Sequence, residues 1–312
     1  MISVVIPLFN KESTIKRAVD SVLAQTLSNF ELIIVDDGSS DRSRAVVESI
    51  EDDRIRLVSQ PNRGVSAARN RGIRASRYPY LALLDGDDWW HPNFLCDLHA
   101  LAMLHPKCGA YCCQYVQVDD SGFHRKLDRF PEFDVGVFNL ADYFYTPCSS
   151  AILVRKAVFD VVGGFNERLT HGEDGEMWVR ISNRFDFLYV AKILAFYFVG
   201  GDPSSRSIGS RPKFNHHVVS EIDDLIIDCS DQMRSRMLMQ KHKFLQNFYL
   251  GSPLDDTVSK EVKAFLRDHP GLVPAGSVLR QGRFRVLLVR SVPLLVKRRL
   301  LALKRMVQRF AS

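Results

Sequence analysis

Three carboxylates within four residues follow a short apolar run in the first third of the chain. The run covers residues 80–84, and the acidic residues are Asp85, Asp87 and Asp88. Asp is unfavourable in strands, and like charges held together are costly to desolvate, so this cluster needs a cationic partner or open solvent. Hard oxygen ligands at this spacing suit Mg²⁺ or Mn²⁺, which commonly bridge one or two carboxylates to substrate phosphates. The alternative interpretation is an acidic turn that caps the next helix.

The elements around this cluster alternate between strand and helix patterns. In chain order they are a strand at 2–7, a helix capped by Asn10 or Ser13, a strand at 31–35, a helix at about 43–51, a strand at 55–59, a helix at 65–75 and a strand at 80–84. This alternation predicts right-handed βαβ units and a parallel sheet covered on both faces. Ligands of such sheets bind beyond the carboxyl ends of the strands, where Asp36, Asp37 and the 85–88 cluster all fall. The coincidence favours a ligand site over an acidic turn.

The pattern changes after residue 92. A helix at 93–104 is followed by strand-like residues 110–118, a hairpin turn at 119–122, a second strand-like stretch at 149–154 and a helix that Gly163 and Gly164 end. The strand pattern is lost after Tyr197, and residues 200–207 have the composition of a loop. These later elements would complete the sheet around the cluster.

A fourth carboxylate of interest lies at the start of a predicted helix at residues 170–181. At helical spacing Asp174 shares a face with Met177, Trp178 and Ile181. Because those apolar side chains would face the protein, Asp174 is directed to the same side, in the first turn where the helix dipole favours negative charge. The alternative is an acid that only complements the dipole. The alignment with the buried stripe favours a role in a cleft.

The positive charge of the chain is concentrated at its C-terminal end. The formal net charge is +6, and residues 269–312 hold ten Lys or Arg and no Asp or Glu. Apolar residues at helical spacing in the tail are Val296, Leu300, Leu303, Val307 and Phe310. A basic amphipathic helix of this kind suits the surface of an anionic membrane. The alternatives are that the helix packs on the rest of the protein or forms an oligomer contact. No nucleic acid partner is expected, because the tail has one aromatic residue after Phe284 and no recognised reading motif.

The cysteines and the N-terminus indicate a cytoplasmic protein. The six cysteines show no paired spacing and no His partner at zinc-ligand distance, which predicts reduced thiols. The sequence opens directly on a strand-like run, so no export signal is expected, and no uncharged apolar run approaches the length of a membrane span. Together with the tail, these features predict a cytoplasmic protein bound peripherally to the inner face of the cell membrane.

Five short motifs occur along the chain in a characteristic order. They are Ile6-Pro7-Leu8-Phe9-Asn10-Lys11-Glu12, Val35-Asp36-Asp37-Gly38-Ser39-Ser40-Asp41, Asn62-Arg63-Gly64-Val65-Ser66-Ala67-Ala68-Arg69-Asn70-Arg71-Gly72, Leu84-Asp85-Gly86-Asp87-Asp88 and Gly172-Glu173-Asp174. In sequence and order they resemble glycosyltransferase family 2, over roughly residues 1–200. The resemblance implies a type A glycosyltransferase fold: a Rossmann-like, nucleotide-binding α/β domain with a mixed sheet flanked by helices. The predicted domains are a catalytic domain at 1–205, a helical extension at 206–275 and the basic tail at 276–312.

The resemblance also implies roles for individual residues. Nucleotide-binding roles fall on Pro7, Phe9, Glu12, Asp37, Arg69, Asn70 and Asp85. Pro7, Phe9 and Glu12 would line the nucleoside pocket, and Asp37 would hydrogen-bond the base, typically uracil. Arg69 and Asn70 would lie on the helix that flanks the diphosphate.

The same resemblance implies the metal site and the catalytic base. Asp85 and Asp87 would form the DxD pair, in which Asp87 is the main ligand of Mn²⁺ or Mg²⁺ and Asp85 lies near the ribose or the metal. Asp88 would support this pair. Asp174 matches the position of the catalytic base, and Glu173 beside it is a further supporting residue.

The chain departs from the family at one point. Many relatives carry a His after the last core strand that completes the metal shell, but residues 197–202 contain no His. Asp202, or one of His216 and His217, is the candidate substitute.

The sequence therefore predicts an inverting, metal-dependent glycosyltransferase of the hexosyl- or N-acetylhexosaminyltransferase type. Its donor would be a nucleotide sugar, typically a UDP-sugar, and its acceptor a hydroxyl of a glycan or lipid-linked glycan in cell-surface polysaccharide synthesis. One alternative is a metal-dependent nucleotidyl or sugar-phosphate transferase, which would release pyrophosphate and give Asp174 no role. The other is a membrane-associated scaffold with a degenerate site, disfavoured because Asp37, Asp85, Asp87 and Asp174 are all present. The sequence leaves the sugar, the acceptor, the linkage and the oligomeric state open.

Overall fold

The computed structural model describes residues 1–122, 124–126, 133–138, 147–169 and 172–200. The predicted helical extension at 206–275, the basic tail at 276–312, and Asp202, His216 and His217 lie outside these residues. Within them, no helix is both long enough and apolar enough to cross a membrane.

The described residues form ten strands and six α-helices. In chain order these are β1 (Ile2–Leu8), α1 (Ile15–Leu23), β2 (Phe30–Asp36), α2 (Ser43–Glu48), β3 (Ile55–Ser59), α3 (Val65–Ala75), β4 (Tyr80–Leu83), β5 (Trp89–Trp90), α4 (Phe94–Leu104), β6 (Ala110–Val118), β7 (His124–Lys126), β8 (Val135–Phe138), a 3₁₀ turn (Ser149–Ala151), β9 (Ile152–Arg155), α5 (Lys156–Val162), α6 (Glu173–Ser182) and β10 (Phe187–Phe198).

These strands make one mixed sheet in the order β3-β2-β1-β4-β9-β6-β10-β5, with β7 paired to β6 and β8 to β10. Strands β3, β2, β1 and β4 run parallel to one another, as the alternating pattern predicts. Strand β9 is antiparallel to both β4 and β6, and β6 is parallel to β10. The carboxyl ends of the four parallel strands therefore meet at one edge of the sheet.

Two apolar layers cover the faces of the sheet. Along β1 the side chains alternate: Val4 and Ile6 belong to the layer that holds α1 and α4, and Val5 belongs to the layer that holds α5 and α6. Strand β2 is buried at every position. Burial on both faces explains why the central strands are continuous apolar runs instead of alternating ones.

Helix α3 packs unusually close to β1. A Cβ added at Gly72 would lie 2.2 Å from Cγ1 of Val5, which is far inside van der Waals contact. Only glycine permits this approach without a shift of backbone or side chain. The close packing fixes the helix that carries Arg69 against the ends of the central strands.

The predicted cap of the first helix was wrong. Helix α1 begins at Ile15 after Thr14, and neither Asn10 nor Ser13 is its N-cap. Asn10 instead adopts a positive φ of 50°, and its side-chain oxygen accepts a hydrogen bond of 2.9 Å from the backbone N–H of Ser40. Asn tolerates this left-handed conformation better than most residues, and here it joins the turn after β1 to the turn after β2.

The predicted elements after residue 92 are present, except that Ser149–Ala151, predicted as the start of a strand, form a 3₁₀ turn before β9. The turn at 119–122 joins β6 and β7 as an antiparallel hairpin, and α5 ends at Gly163, which has a φ of 79°. Helix α6 buries Met177, Trp178 and Ile181 as predicted. This places the first turn of α6, with Asp174, beside the edge where the parallel strands end.

Candidate active site

A cavity of about 480 Å³ opens at the carboxyl edge of the parallel strands. This volume lies in the range of small-molecule and cofactor sites. The residues that line it are Pro7, Leu8, Phe9, Lys11, Asp37, Asn62, Gly64, Val65, Ala68, Arg69, Asp85, Gly86, Asp87, Cys148, Ser149, Glu173, Asp174, Tyr197 and Phe198. Most of the residues predicted from the motifs are thus brought together around one space.

The end of β1 supplies one wall of the cavity. Pro7 and Phe9 line it, and Phe9 exposes 43% of its surface. Glu12, which was predicted beside them, lies outside the lining. Its carboxylate accepts a hydrogen bond of 2.9 Å from the backbone N–H of Arg42. The turn after β1 therefore directs Glu12 to the start of α2 instead of into the cavity.

Asp37 lies in the cavity wall, but its carboxylate is occupied by the protein. Asp37 is 3% exposed, and one of its oxygens accepts from Gln60 Nε2 at 2.7 Å and from the Arg63 backbone N–H at 2.9 Å. The other oxygen accepts from the backbone N–H of Gly64 at 2.8 Å. An ionised carboxylate has about four acceptor positions. Asp37 therefore shapes the loop before α3, with capacity left for one further donor.

Asp85, the first carboxylate of the predicted DxD pair, is held by a buried cation. Arg69 Nη2 donates to Asp85 at 2.7 Å, and Nη1 donates to Glu173 at 2.9 Å. The Arg69 side chain is 3% exposed. Burial alone would lower the pKa of Arg69, but the charges of Asp85 and Glu173 outweigh it and raise that pKa above its ordinary value. Arg69 thus ties the end of β4 to the start of α6.

The second carboxylate of the pair is held by a different cation. Lys11 Nζ lies 2.7 Å from Asp87 Oδ2, and both side chains are only partly exposed. The backbone oxygen of Asp87 accepts from Arg17 Nη2 at 2.8 Å, and Thr14 Oγ1 donates to the backbone oxygen of Gly86 at 2.9 Å. The turn between Asp85 and Asp88 is therefore fastened to the start of α1 and to the residues before it.

Asp88 is a buried anchor and does not line the cavity. Ser150 Oγ donates to one of its carboxyl oxygens, and the backbone N–H of Phe198 donates to the other at 2.8 Å. Burial, reinforced by the charges of Asp87 and Asp85, raises the pKa of Asp88 well above its ordinary value. The same Ser150 hydroxyl accepts from the backbone N–H of Asp85 at 3.1 Å. Asp88 and Ser150 together join the acidic turn to β9 and β10.

Asn70 also lies outside the cavity lining. Its side chain is buried and donates to the backbone oxygen of Phe165 at 2.8 Å and to Glu167 at 3.0 Å. Its side-chain oxygen accepts from the Phe165 backbone N–H at 2.7 Å. Asn70 therefore holds the segment after α5, whereas its neighbour Arg69 faces the cavity.

Asp174 lines the cavity from the first turn of α6. Burial raises the pKa of Asp174 to about 6; the charge of Glu173 adds to the rise and that of Arg69 opposes it. One carboxylate oxygen accepts from the backbone N–H of Gly175 at 2.7 Å. A carboxylate with a pKa near neutrality can take a proton from a bound hydroxyl more effectively than an ordinary Asp.

The cavity residues fit a divalent cation that the substrate helps to bind. Asp85 and Asp87 supply hard oxygen donors at one edge of the cavity, and a cation would relieve the repulsion between these acids and Asp88. Among the described residues, however, no three His, Cys, Asp or Glu form a group that could hold a metal alone. Mg²⁺ and Mn²⁺ sites with one or two carboxylates are normally completed by water and phosphate oxygens. Asp85 and Asp87 fit a site of this kind, in which two carboxylates bind the cation together with water and substrate phosphate oxygens.

Sequence reasoning missed several residues of the site, and Lys11 and Ser150 are two that hold its carboxylates. Lys11 lies within the first motif, so it could have been marked as a basic residue next to Pro7 and Phe9 in the cavity wall. Nothing in the sequence pattern indicated a role for Ser150, because residues 149–154 were predicted to form a strand. Ser149–Ala151 instead form a 3₁₀ turn, which places the Ser150 hydroxyl beside Asp88.

Curated relatives of this chain include proteins named as glycosyltransferases and one named chondroitin synthase. It is 45% identical over 91 residues to the uncharacterized glycosyltransferase EpsJ of Bacillus subtilis, covering 28% of this chain and 26% of that protein. It is 29% identical over 200 residues to an uncharacterized glycosyltransferase of Rickettsia typhi, covering 62% and 60%. It is 26% identical over 227 residues to the chondroitin synthase of Pasteurella multocida, covering 70% and 23%. In each case the match spans less than two thirds of the relative.

The fold matches solved structures of TarS from S. aureus. The structure of its residues 1–349 in complex with UDP-GlcNAc superposes with a TM-score of 0.70 at 18% identity, covering 88% of this chain and 81% of that one. At this identity the likeness concerns the fold, and it confirms the predicted type A mixed α/β architecture. The family model described as Glycosyl transferase family 2 matches residues 3–163, just over half of the chain. This chain therefore belongs to glycosyltransferase family 2.

Proposed function

We propose that this protein is an inverting glycosyltransferase that moves a sugar from a nucleoside diphosphate donor to a hydroxyl of a glycan or lipid-linked glycan. The observation that carries the proposal is the convergence of three carboxylates on one cavity: Asp85 and Asp87 from the end of β4, and Asp174 from the first turn of α6. This arrangement offers an acidic pair for the diphosphate end of a donor and a separate carboxylate for an acceptor.

The donor is proposed to be a UDP-sugar. The cavity is about 480 Å³, and its lining includes both the apolar residues Pro7 and Phe9 and the acidic pair Asp85 and Asp87. A flat base suits the apolar wall, and a diphosphate suits a cation held at the acidic end. The complex of TarS with UDP-GlcNAc supports uridine as the nucleoside, with Asp37 in the wall beside it.

Mn²⁺ or Mg²⁺ is the proposed cofactor, held by Asp87 and Asp85. When bound, it would act as a Lewis acid that neutralises charge on the departing diphosphate. Arg69 keeps Asp85 in place through a charge-assisted hydrogen bond of 2.7 Å. Asp88 and Ser150 hold the turn between the two carboxylates.

Asp174 is the proposed general base. As the acceptor oxygen forms its bond to the anomeric carbon, Asp174 takes the hydroxyl proton while the bond between that carbon and the diphosphate oxygen breaks. A single displacement of this kind inverts the anomeric configuration and needs no second carboxylate nucleophile, unlike retaining hydrolysis. The raised pKa of Asp174, about 6, brings this carboxylate closer to the operating pH.

Cell-surface polysaccharide synthesis is the proposed setting. Support comes from relatives named chondroitin synthase and hyaluronan synthase. The basic tail, at residues 276–312, would bind the protein peripherally to the anionic inner face of the cell membrane, where a lipid-linked acceptor is accessible.

A binding panel tests the donor and the metal together. Calorimetry would compare uridine, guanosine and thymidine diphosphate sugars, first with Mn²⁺ and then with a chelator. We expect binding of a UDP-sugar that Mn²⁺ strengthens. Binding of no nucleotide sugar, or release of pyrophosphate instead of a nucleoside diphosphate during turnover, would contradict the proposal.

A further inference from the structure

The ion pair between Lys11 and Asp87 occupies the position where the proposed function places a cation. Lys11 Nζ lies 2.7 Å from Asp87 Oδ2, and the two side chains are 18% and 19% exposed. Both residues line the cavity. An ammonium and a divalent cation compete for the same carboxylate oxygens, because each neutralises the same charge at contact distance.

Only the side chain of Lys11 has to move to vacate this position. The backbone of Lys11 is fixed, since its N–H donates to Ser43 Oγ at 2.6 Å and its carbonyl accepts from the Ile15 N–H at 2.9 Å. The ammonium is carried on a flexible four-carbon stem with several rotatable bonds. Lys11 can therefore leave Asp87 without any change in the main chain.

Arg69, in contrast, cannot move away from Asp85 and Glu173 in this way. It is 3% exposed, pairs with both Asp85 and Glu173, and its guanidinium lies 5.3 Å from the centre of the Phe165 ring. Removing a cation that is 3% exposed from two carboxylates costs far more than rotating an ammonium that is 18% exposed away from Asp87. Of the two internal cations, Lys11 is thus the one that can exchange.

We propose that Lys11 is a resident counter-ion of Asp87 that makes metal binding depend on the donor. The inference rests on the proposed function, because it requires a nucleoside diphosphate and a divalent cation in this cavity. A metal that arrives alone has to displace the ammonium from Asp87 and brings no anion to receive it. A metal that arrives with the donor brings the diphosphate, and the ammonium released from Asp87 pairs with it instead. The metal and the donor therefore strengthen each other's binding, and the two effects are equal in size.

Direct measurement of Mn²⁺ binding tests this coupling without turnover. Mn²⁺ alone would be titrated into wild type, Lys11→Met and Lys16→Met, with free Mn²⁺ followed by electron paramagnetic resonance. Lys16 is a matched control because it forms a 2.7 Å pair with Asp20 on the exposed surface of α1. We expect Lys11→Met to bind Mn²⁺ alone about tenfold more tightly than wild type, and Lys16→Met to bind it as wild type does.

The second measurement is the effect of UDP on the same titration. In wild type, saturating UDP should increase Mn²⁺ affinity by more than tenfold, and in Lys11→Met this increase should shrink several-fold. Lys11→Gln, which keeps a polar side chain but no charge, should behave like Lys11→Met, so the result does not depend on one variant folding well. Unchanged affinity for Mn²⁺ alone in both Lys11 variants would overturn the inference.

The outcomes separate this inference from the proposed function. If Mn²⁺ and UDP strengthen each other equally in wild type and in the Lys11 variants, the donor site stands and the role of Lys11 is overturned. If wild type binds neither UDP nor Mn²⁺ with UDP present, the proposed function fails and the inference fails with it.

Discussion

Arg69 and Glu173 form an ion pair of 2.9 Å that joins α3 to the first turn of α6. Glu173 precedes the proposed base Asp174, and the other side of the Arg69 guanidinium holds Asp85 at 2.7 Å. One buried cation therefore joins the end of the site proposed to bind the donor to the end proposed to activate the acceptor.

Replacing Arg69 should destabilise the protein. Arg69→Met keeps most of the stem but leaves Asp85 and Glu173 without their shared cation, so we expect a loss of about 2–4 kcal/mol. The matched control is Arg44→Met, which removes an exposed pair with Glu48 and should change stability by less than about 1 kcal/mol. Urea unfolding followed by circular dichroism measures both. Equal stability of the two variants would contradict a structural role for the Arg69 pairs.

Asp174→Asn should abolish turnover and spare donor binding. The amide keeps the size of the side chain but cannot accept the acceptor proton, so we expect kcat to fall by about 10²–10⁴-fold. Calorimetry should give a UDP affinity within about twofold of wild type. Asp160→Asn is the isosteric control, since Asp160 is exposed on α5 and does not line the cavity. Substantial turnover by the Asp174 variant would remove this residue as the base.

The pH dependence of kcat should show an acid limb set by Asp174. Burial raises the pKa of Asp174 to about 6, with a further contribution from the charge of Glu173. The ionised form is the base, so activity is present above this pKa and falls up to tenfold per pH unit below it. Glu173→Gln removes the neighbouring charge and should move the limb to lower pH.

A matched substitution distinguishes this local effect from a general change in charge. Glu48→Gln removes the same charge from the exposed pair with Arg44 on α2 and should leave the limb in place. A profile that is flat from pH 5 to 8, or one that Glu173→Gln shifts to higher pH, would contradict the assignment.

The strands and helices of the site were predictable because burial leaves a clear pattern. Strand β2 is buried throughout and reads as an unbroken apolar run, and the acidic residues that follow β2 and β4 mark the edge where ligands bind. The helical spacing from Asp174 to Trp178 likewise gave the correct face of α6. These features depend on local periodicity, which the sequence displays directly.

The directions of Glu12 and Asn70 were not predictable in this way. Each lies in the same motif as a cavity residue, but Glu12 turns to α2 and Asn70 turns to the segment after α5. Both directions depend on backbone that is far away in sequence or in an unusual conformation, such as the positive φ of Asn10. Ser150 and Asp88 are 62 residues apart in sequence and meet only in the fold. Local sequence periodicity therefore cannot predict their contact.

Deleting residues 283–312 should release the protein from anionic membranes. This segment is basic and contains no acidic residue, so its attraction to anionic lipid should be strong at low salt and weaken as salt rises. Sedimentation with liposomes of phosphatidylserine and phosphatidylcholine measures the bound fraction, and pure phosphatidylcholine is the control lipid. Full-length protein that sediments equally with both lipids, or a deletion that changes nothing, would contradict membrane binding by the tail.

Ser150 should prove to be a structural support of the acidic turn, in contrast to its neighbour. Its hydroxyl is fully buried, donates to Asp88 and accepts from the Asp85 backbone N–H at 3.1 Å. Ser150→Ala leaves both buried groups with one partner fewer, so we expect a loss of about 1–3 kcal/mol in urea unfolding. Ser149→Ala is the matched control. The Ser149 hydroxyl is also buried, but within the described residues it has no hydrogen-bond partner, so its removal should change stability by less than about 0.5 kcal/mol. If the two alanine variants unfold alike, the bonds of Ser150 add nothing to the turn, and the other contacts described above must hold Asp85 and Asp87 in place.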